Sequence, residues 1–153
     1  MERNTRQRSA IRDAIAQAGR PLLPGEVLAA AQSTSPGLSI ATVYRHLRTL
    51  LEDGELQPVN LPGENTRYER AGAGHHHHFQ CLVCQRVFEV KACPGNLSSL
   101  APAGFTVEDH DLTLYGRCID CALTHPADQS ARQAGAKSAC NPCRSHSKQP
   151  LIA

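Results

Sequence analysis

Seven cysteines and eight histidines carry most of the chemistry open to this 153-residue chain. Six of the cysteines form Cys-x-x-Cys pairs: Cys81 with Cys84, Cys118 with Cys121, and Cys140 with Cys143. Two residues between ligands let both sulfurs reach one tetrahedral ion from a single tight turn. The first two pairs together read as a four-cysteine structural zinc site in preference to a redox centre. A thioredoxin-like pair would open a helix after a strand, whereas Cys81 and Cys84 lie between short strand-like runs. A secreted disulfide framework would bring a leader and an even cysteine count. The opening MERNTRQRSA is polar, no apolar leader follows and the count is odd, so a cytoplasmic protein is expected. Cys140 and Cys143 read as accessory or idle.

His75, His76, His77 and His78 run directly into the first knuckle. If this stretch is extended, alternate side chains point to opposite sides. His76 and His78 then face one site, and His75 and His77 face another. Imidazole suits Zn, Fe, Co, Ni and Cu(II), and an added carboxylate shifts a site toward harder ions. Glu69 and Glu89 are carboxylates within reach. His110 lies among Glu108, Asp109 and Asp111, either as a ligand or as a surface residue in an acidic patch.

The elements that must position these groups fall into two regions. Thr5 is placed to cap a first helix with apolar positions Ala10, Ile11, Ala14, Ile15 and Ala18, stopped by Gly19. Pro24 suits the first turn of a second helix, GEVLAAAQ. Ser39 caps a third, IATVYRHLRTLLED, ended by Gly54. Its apolar residues Ile40, Val43, Leu47, Leu50 and Leu51 fall on one face at helical period. Its other face carries Thr42, Arg45, Arg48 and Thr49, with Tyr44 toward that side. LQPVNL and TRYER read as two strands around the turn Pro62-Gly63-Glu64-Asn65. Three short helices and a hairpin give the order of a winged helix-turn-helix, whose third helix enters the major groove. Arg and Tyr suit base edges or phosphate there, although the same face could be merely solvated.

Ala71-Gly72-Ala73-Gly74 reads as a hinge. Strand-like runs follow at 78–82 and 86–91, a short helix at 95–101 and a longer strand at 105–116. The expected division is residues 1–70, a winged-helix domain; 71–74, the hinge; 75–121, a small α/β unit pinned by zinc; and 122–153, a disordered tail. The fold class is α+β.

Composition narrows the function classes. Hydrophobic residues make up 41% and charged residues 20%. No apolar run approaches the ~20 residues of a membrane span, so no membrane partner is expected. Net charge is +2 and says nothing about nucleic acid; local charge must carry that case. Arg3, Arg6, Arg8 and Arg12 against Glu2 make a small basic arm. A zinc enzyme would need an open coordination position and a general base. Glu89 could serve as the base, but no HExxH or HxE pattern accompanies it, so the chain is not read as an enzyme.

ATVYRHLRTLLEDG, HHHHFQCLVC, FEV and DHDLTLYGRCIDC occur in this order. Through them residues 5–121 resemble the ferric uptake regulator family of bacterial metal-sensing repressors. The resemblance implies a homodimer with an N-terminal winged-helix domain and a C-terminal dimerisation domain. Metal at the hinge would close the dimer onto palindromic double-stranded operator DNA. Cys81, Cys84, Cys118 and Cys121 resemble the structural zinc ligands. Glu69, His76, His78 and Glu89 match the regulatory hinge site, and His75, His77 and His110 a second metal site. Tyr44 and Arg45 match the operator-contacting pair, with Thr42 and Arg48 beside them and Arg6 near minor groove or phosphate. The chain departs from the family in three places. GRPLLPGEVL carries no His before the second helix. His77 stands where Asp is common. The second site is offered Asn96 or Cys93 in place of a carboxylate. These nitrogen- and sulfur-rich changes favour Zn2+ as the regulatory ion, with Fe2+ or Mn2+ as alternatives. An iron-loaded peroxide sensor, or a thiol switch, is the rival within the class.

Overall fold

In the computed structural model of the protein, residues 2–124 are described. Helices α1 (Glu2–Ala18), α2 (Pro24–Ala31) and α3 (Ile40–Glu52) precede strands β1 (Leu56–Val59) and β2 (Arg67–Arg70). Ile11 and Ile15 of α1, Val27 and Ala31 of α2, and Val43, Leu47 and Leu50 of α3 form one buried cluster. These positions recur at three or four residues, so each helix buries a single stripe. Each of the larger side chains contributes about 1.5–3 kcal/mol by leaving water. No described helix is long and apolar enough to cross a membrane.

Local chemistry sets the helix ends. Ser39 Oγ accepts from the Thr42 amide at 3.3 Å and caps α3. α2 begins at Pro24, and Glu26 reaches back to accept from the Leu23 amide at 2.8 Å. Thr5 does not cap α1, because the helix already starts at Glu2. No Gly or Pro precedes Thr5 to stop the helix extending. The basic arm is therefore helical rather than loose. Arg8 pairs with Asp53 at 2.7 Å and with Glu55, and fastens α1 to the end of α3. Arg6 stays exposed.

β1 and β2 pair antiparallel, Leu56 opposite Arg70 and Val59 opposite Arg67. Leu22 bridges Tyr68 through two backbone hydrogen bonds of 3.0 and 2.8 Å. The stretch before α2 thus adds a third short partner to the hairpin. This is the winged helix-turn-helix arrangement expected from the element order.

The second unit is a three-stranded sheet in the order β4-β3-β5, with β3 (His77–Cys81), β4 (Val87–Val90) and β5 (Thr113–Gly116). β3 runs antiparallel to β4 and parallel to β5. That topology brings the start of β3, the end of β4 and the start of β5 to one end of the sheet. The opposite three ends meet about four residues away, roughly 13 Å at the usual strand rise.

Two expected elements shrink. The strand over 105–116 is confined to Thr113–Gly116. Before it, the Asp109 carboxylate accepts from the His110 amide at 2.7 Å, a local bond that competes with ladder pairing. The helix over 95–101 is a single 3-10 turn, Ser98–Leu100. Pro102 ends it, since the residue before a proline is pushed out of the helical region and Ala101 is extended. A fourth helix, α4 (Ile119–Thr124), takes in residues 122–124, which the sequence had placed in the tail. The rest of that tail, with Cys140 and Cys143, lies outside the described residues.

Candidate metal centres and nucleic-acid face

Cys81 closes β3, Cys84 lies in the turn after it, Cys118 follows β5 and Cys121 sits in α4. Their four sulfurs lie within 4.8 Å of one another. Cys84 Sγ and Cys118 Sγ are 3.8 Å apart. A tetrahedral zinc with bonds near 2.3 Å spaces its sulfurs about 3.8 Å apart, so these residues fit the ion. The amides of Cys84, Cys118 and Val83 point at Cys81 and, against burial, lower its thiol to about 6. Burial and the neighbouring thiols push Cys121 up to about 12. Burial opposes ionisation of Cys84, but the Arg86 amide and guanidinium prevail and lower it. Thiolate is the ligating form, so the amides and Arg86 prepare two of the four. Among the described residues, Phe79 and Phe88 pack around the sulfurs, with little else apolar.

The alternation expected of the histidine run holds. His76 and His78 meet Glu69 of β2, and the three donors lie within 4.8 Å of one another. His76 Nε2 is 2.9 Å from Glu69 Oε1, and His78 Nε2 is 3.4 Å from Glu69 Oε2. His76 Nδ1 faces the Gly74 carbonyl at 2.9 Å, so that nitrogen donates and Nε2 is the one free to ligate. Gln57 Nε2 donates to Glu69 Oε1 at 2.7 Å and orients the carboxylate. Against burial, the Gly74 carbonyl and Glu69 raise His76. Against its own burial, the bonds from His78 and Gln57 lower Glu69. The metal-free cluster is thus held by a proton between imidazole and carboxylate, at the position where a cation's charge would serve. Glu89 stands opposite His78 across the β3–β4 ladder and acts on His76 by charge, but it is not one of the three gathered donors.

His75, His77 and His110 converge on the other side, and Cys93 joins them. The side-chain oxygen of Asn96 accepts from the Ser98 amide at 2.8 Å. His77 is fully buried, and burial with the neighbouring His75 and His110 lowers its pKa and keeps it neutral.

On α3, Tyr44 is 54% exposed, and Arg45 and Arg48 are also exposed. Arg48 pairs with Glu52 at 2.9 Å. Thr42 is half-buried, its hydroxyl 2.9 Å from that of Ser39. Tyr44 lines a cleft of about 660 Å³ with Glu26 of α2 and Thr66 and Tyr68 of the hairpin. Arg6 lies apart from these residues, on α1.

The sequence reading overlooked three supporting residues. Gln57 and Arg67 lie in stretches read only as strand. Arg86 beside the first knuckle was legible, since a cation next to a cysteine favours thiolate.

A model of the ferric uptake regulator family matches residues 2–115. The chain is 28% identical over 124 residues to the peroxide operon regulator of Bacillus subtilis, covering 78% of this chain and 84% of that protein. It is 33% identical over 93 residues to the ferric uptake regulation protein of the same organism, covering 57% and 62%. The structure of the Helicobacter pylori ferric uptake regulator superposes with a TM-score of 0.59 at 25% identity, over 75% of this chain and 79% of that one.

Proposed function

From the premise that this chain belongs to the ferric uptake regulator family, and so is a metal-responsive DNA-binding regulator and not an enzyme, we propose that it is a homodimeric repressor. In this reading it binds palindromic operator DNA when the hinge cluster holds a divalent ion. The observation that carries the reading is the meeting of Glu69, on the winged unit, with His76 and His78, on the sheet unit. A divalent cation there supplies bonds that tie the two units at one angle. Glu69 presents its carboxylate from β2, and His76 presents Nε2 because Gly74 holds Nδ1. A fixed angle sets the spacing of two recognition helices across a dimer, and only one spacing matches two half-sites on one DNA face. Metal and DNA affinity are then reciprocal. Tyr44 and Arg45 contact bases and backbone, with Thr42, Arg48 and Arg6 as further contacts.

The three clusters parallel the Helicobacter pylori regulator, whose structure reveals three functional metal binding sites. Here Cys81, Cys84, Cys118 and Cys121 hold structural zinc. Glu69, His76 and His78 form the hinge site, with Glu89 as the nearest further carboxylate. His75, His77 and His110 form the second site. Among the described residues the hinge gathers three donors, and the loop before α2 offers Pro21, Leu22 and Leu23 rather than a ligand. A low coordination number suits zinc better than Fe2+ or Mn2+, so control of zinc uptake is the favoured role. Dimerisation accords with the exposed Leu100, Phe105, Ile119 and Leu123 of the sheet unit, each more than 70% exposed in the single chain.

The test is DNA binding across a series of buffered divalent ions, with elemental analysis before and after mild chelation. Retained zinc, with DNA binding lost on chelation and restored by low free zinc, supports the reading. Restoration only by Fe2+ or Mn2+ reassigns the sensed ion, and DNA binding indifferent to every ion overturns the sensing role. Likeness to the Bacillus subtilis peroxide operon regulator makes an iron-loaded peroxide sensor the second reading. One oxygen added to a histidine peptide on peroxide treatment of the iron-loaded protein identifies it.

A further inference from the structure

Three strand ends meet at the end of the sheet remote from the four cysteines. His75 and His77 stand at the start of β3, Cys93 lies just past β4, and His110 lies just before β5. The four donor atoms are within 4.8 Å of one another. Cys93 Sγ is 3.2 Å from His110 Nε2 and 3.6 Å from His75 Nε2. His75 Nε2 is 3.2 Å from His77 Nε2. A tetrahedral ion bound by nitrogen at about 2.0–2.1 Å and sulfur at about 2.3 Å spaces its ligands roughly 3.3–3.7 Å apart. The cluster already stands close to that spacing.

Two further features bear on the sulfur. The Gly95 amide donates to Cys93 Sγ at 3.4 Å. Gly95 has φ +81, and this left-handed turn after Pro94 folds the amide back over the sulfur. The amide thereby fixes the sulfur facing His75 and His110. In addition His77 is 0% exposed, and its Nδ1 has no hydrogen-bond partner among the described residues. Its Nε2 meets the imidazole of His75 inside the cluster, the placement a nitrogen ligand needs. The nearby carboxylates stay out. Asp109 is engaged by the His110 amide, and neither Glu108 nor Asp111 belongs to the cluster.

We propose that Cys93 is a ligand, so that His75, His77, Cys93 and His110 make a three-histidine, one-thiolate cation site selective for tetrahedral, borderline-soft ions such as Zn2+ or Co2+ over Mn2+ and Mg2+. This deepens the second site of the functional reading and rests on that cluster binding metal. Cys93 is the specificity-determining residue. A thiolate favours softer ions, whereas a carboxylate at the same position would admit harder ones.

The experiment uses the full chain with Cys140→Ser and Cys143→Ser, its structural zinc retained, titrated with Co2+ while released zinc is measured. With zinc retained, the expected spectrum has the intense visible bands of tetrahedral cobalt and an ultraviolet thiolate-to-cobalt charge-transfer band. Cys93→Ser should remove the charge-transfer band while zinc content and oligomeric state stay unchanged. Cys93→Asp should lower zinc-over-manganese preference at this site by about tenfold or more. If Co2+ binds at the histidines without a charge-transfer band, or the band survives in Cys93→Ser, the thiolate ligand is overturned but the metal site stands. If His75→Ala and His77→Ala leave Co2+ stoichiometry unchanged, the metal site falls as well.

Discussion

Arg67 Nη2 donates to the backbone carbonyl of Gln85 at 2.7 Å. Arg67 belongs to β2 of the winged unit, and Gln85 follows Cys84 in the first Cys-x-x-Cys turn. Gln85 adopts φ +59, the left-handed geometry that tightens the knuckle turn. A guanidinium only 1% exposed thus spans the two units, with Glu26 at 3.4 Å and Glu64 at 3.7 Å balancing its charge. Val59 and Leu61 pack against Val87 in the same seam. The turn that carries Cys84 and the hairpin of the winged unit share a buried hydrogen bond.

Arg67→Met should destabilise the protein by about 3 kcal/mol, because two carboxylates lose a buried partner and the Gln85 carbonyl loses its donor. Arg67→Lys should recover only part of this, since one ammonium cannot serve the carbonyl and both acids. Urea denaturation with structural zinc bound measures both. Equal stability of Arg67→Met and the parent would show that the contact carries no weight.

Glu69→Gln keeps shape but removes the charge that faces His76 and His78. Metal-dependent DNA binding should then need about 10- to 100-fold more free metal. Zinc at the four cysteines should be unaffected. Unchanged metal dependence would remove Glu69 from the hinge site.

Tyr44→Ala and Arg45→Ala should each weaken operator binding by about 1–3 kcal/mol, roughly 5- to 150-fold. Metal content and oligomeric state should not change. If Arg45 holds phosphate, the salt dependence should flatten by about one unit of slope; if it reads a base, discrimination should relax at one position. Fluorescence anisotropy at several salt concentrations separates these cases.

The sheet unit should collapse when its zinc is withdrawn. Its core beside the sulfurs is little more than Phe79 and Phe88, too small to hold three short strands unaided. Cys118→Ser, or strong chelation, should abolish amide protection in β3, β4 and β5 while α1 to α3 stay protected. Hydrogen exchange resolves the two, and protection kept in β3 would mean the zinc is dispensable.

His46 lies on the inner face of α3, 5% exposed, with Nε2 lacking a partner among the described residues. Burial, aided by the charges of Arg45 and Arg8, holds its pKa below the ordinary value. The unfolded chain therefore takes up the proton first as pH falls. The stability that His46 contributes is complete above its unfolded pKa of about 6.5 and is lost as pH drops through the lower folded value. His46→Met should flatten the decline in urea midpoint between about pH 7.5 and 5.5. An identical slope in both proteins would exclude His46 as its source.

The sequence by itself determined what depends on local spacing. Apolar stripes at helical period, Ser39 as a cap and the glycine-marked stops are short-range physics, and they located three helices and a hairpin. The two Cys-x-x-Cys knuckles and the alternation of four consecutive histidines are likewise local, since a strand has a period of two. Tertiary structure decided what depends on which strand ends meet. The order β4-β3-β5 carries Cys93 and His110 to the start of β3. It also decided what long-range charge does. Arg8 reads as part of a basic arm, yet it is neutralised by Asp53 and Glu55, more than forty residues away. Arg67 reads as an ordinary strand residue, yet it joins two units because Gln85 presents a carbonyl to it. A one-dimensional pattern states which side chains share a face; only the packed chain states which face, strand end or carbonyl they meet.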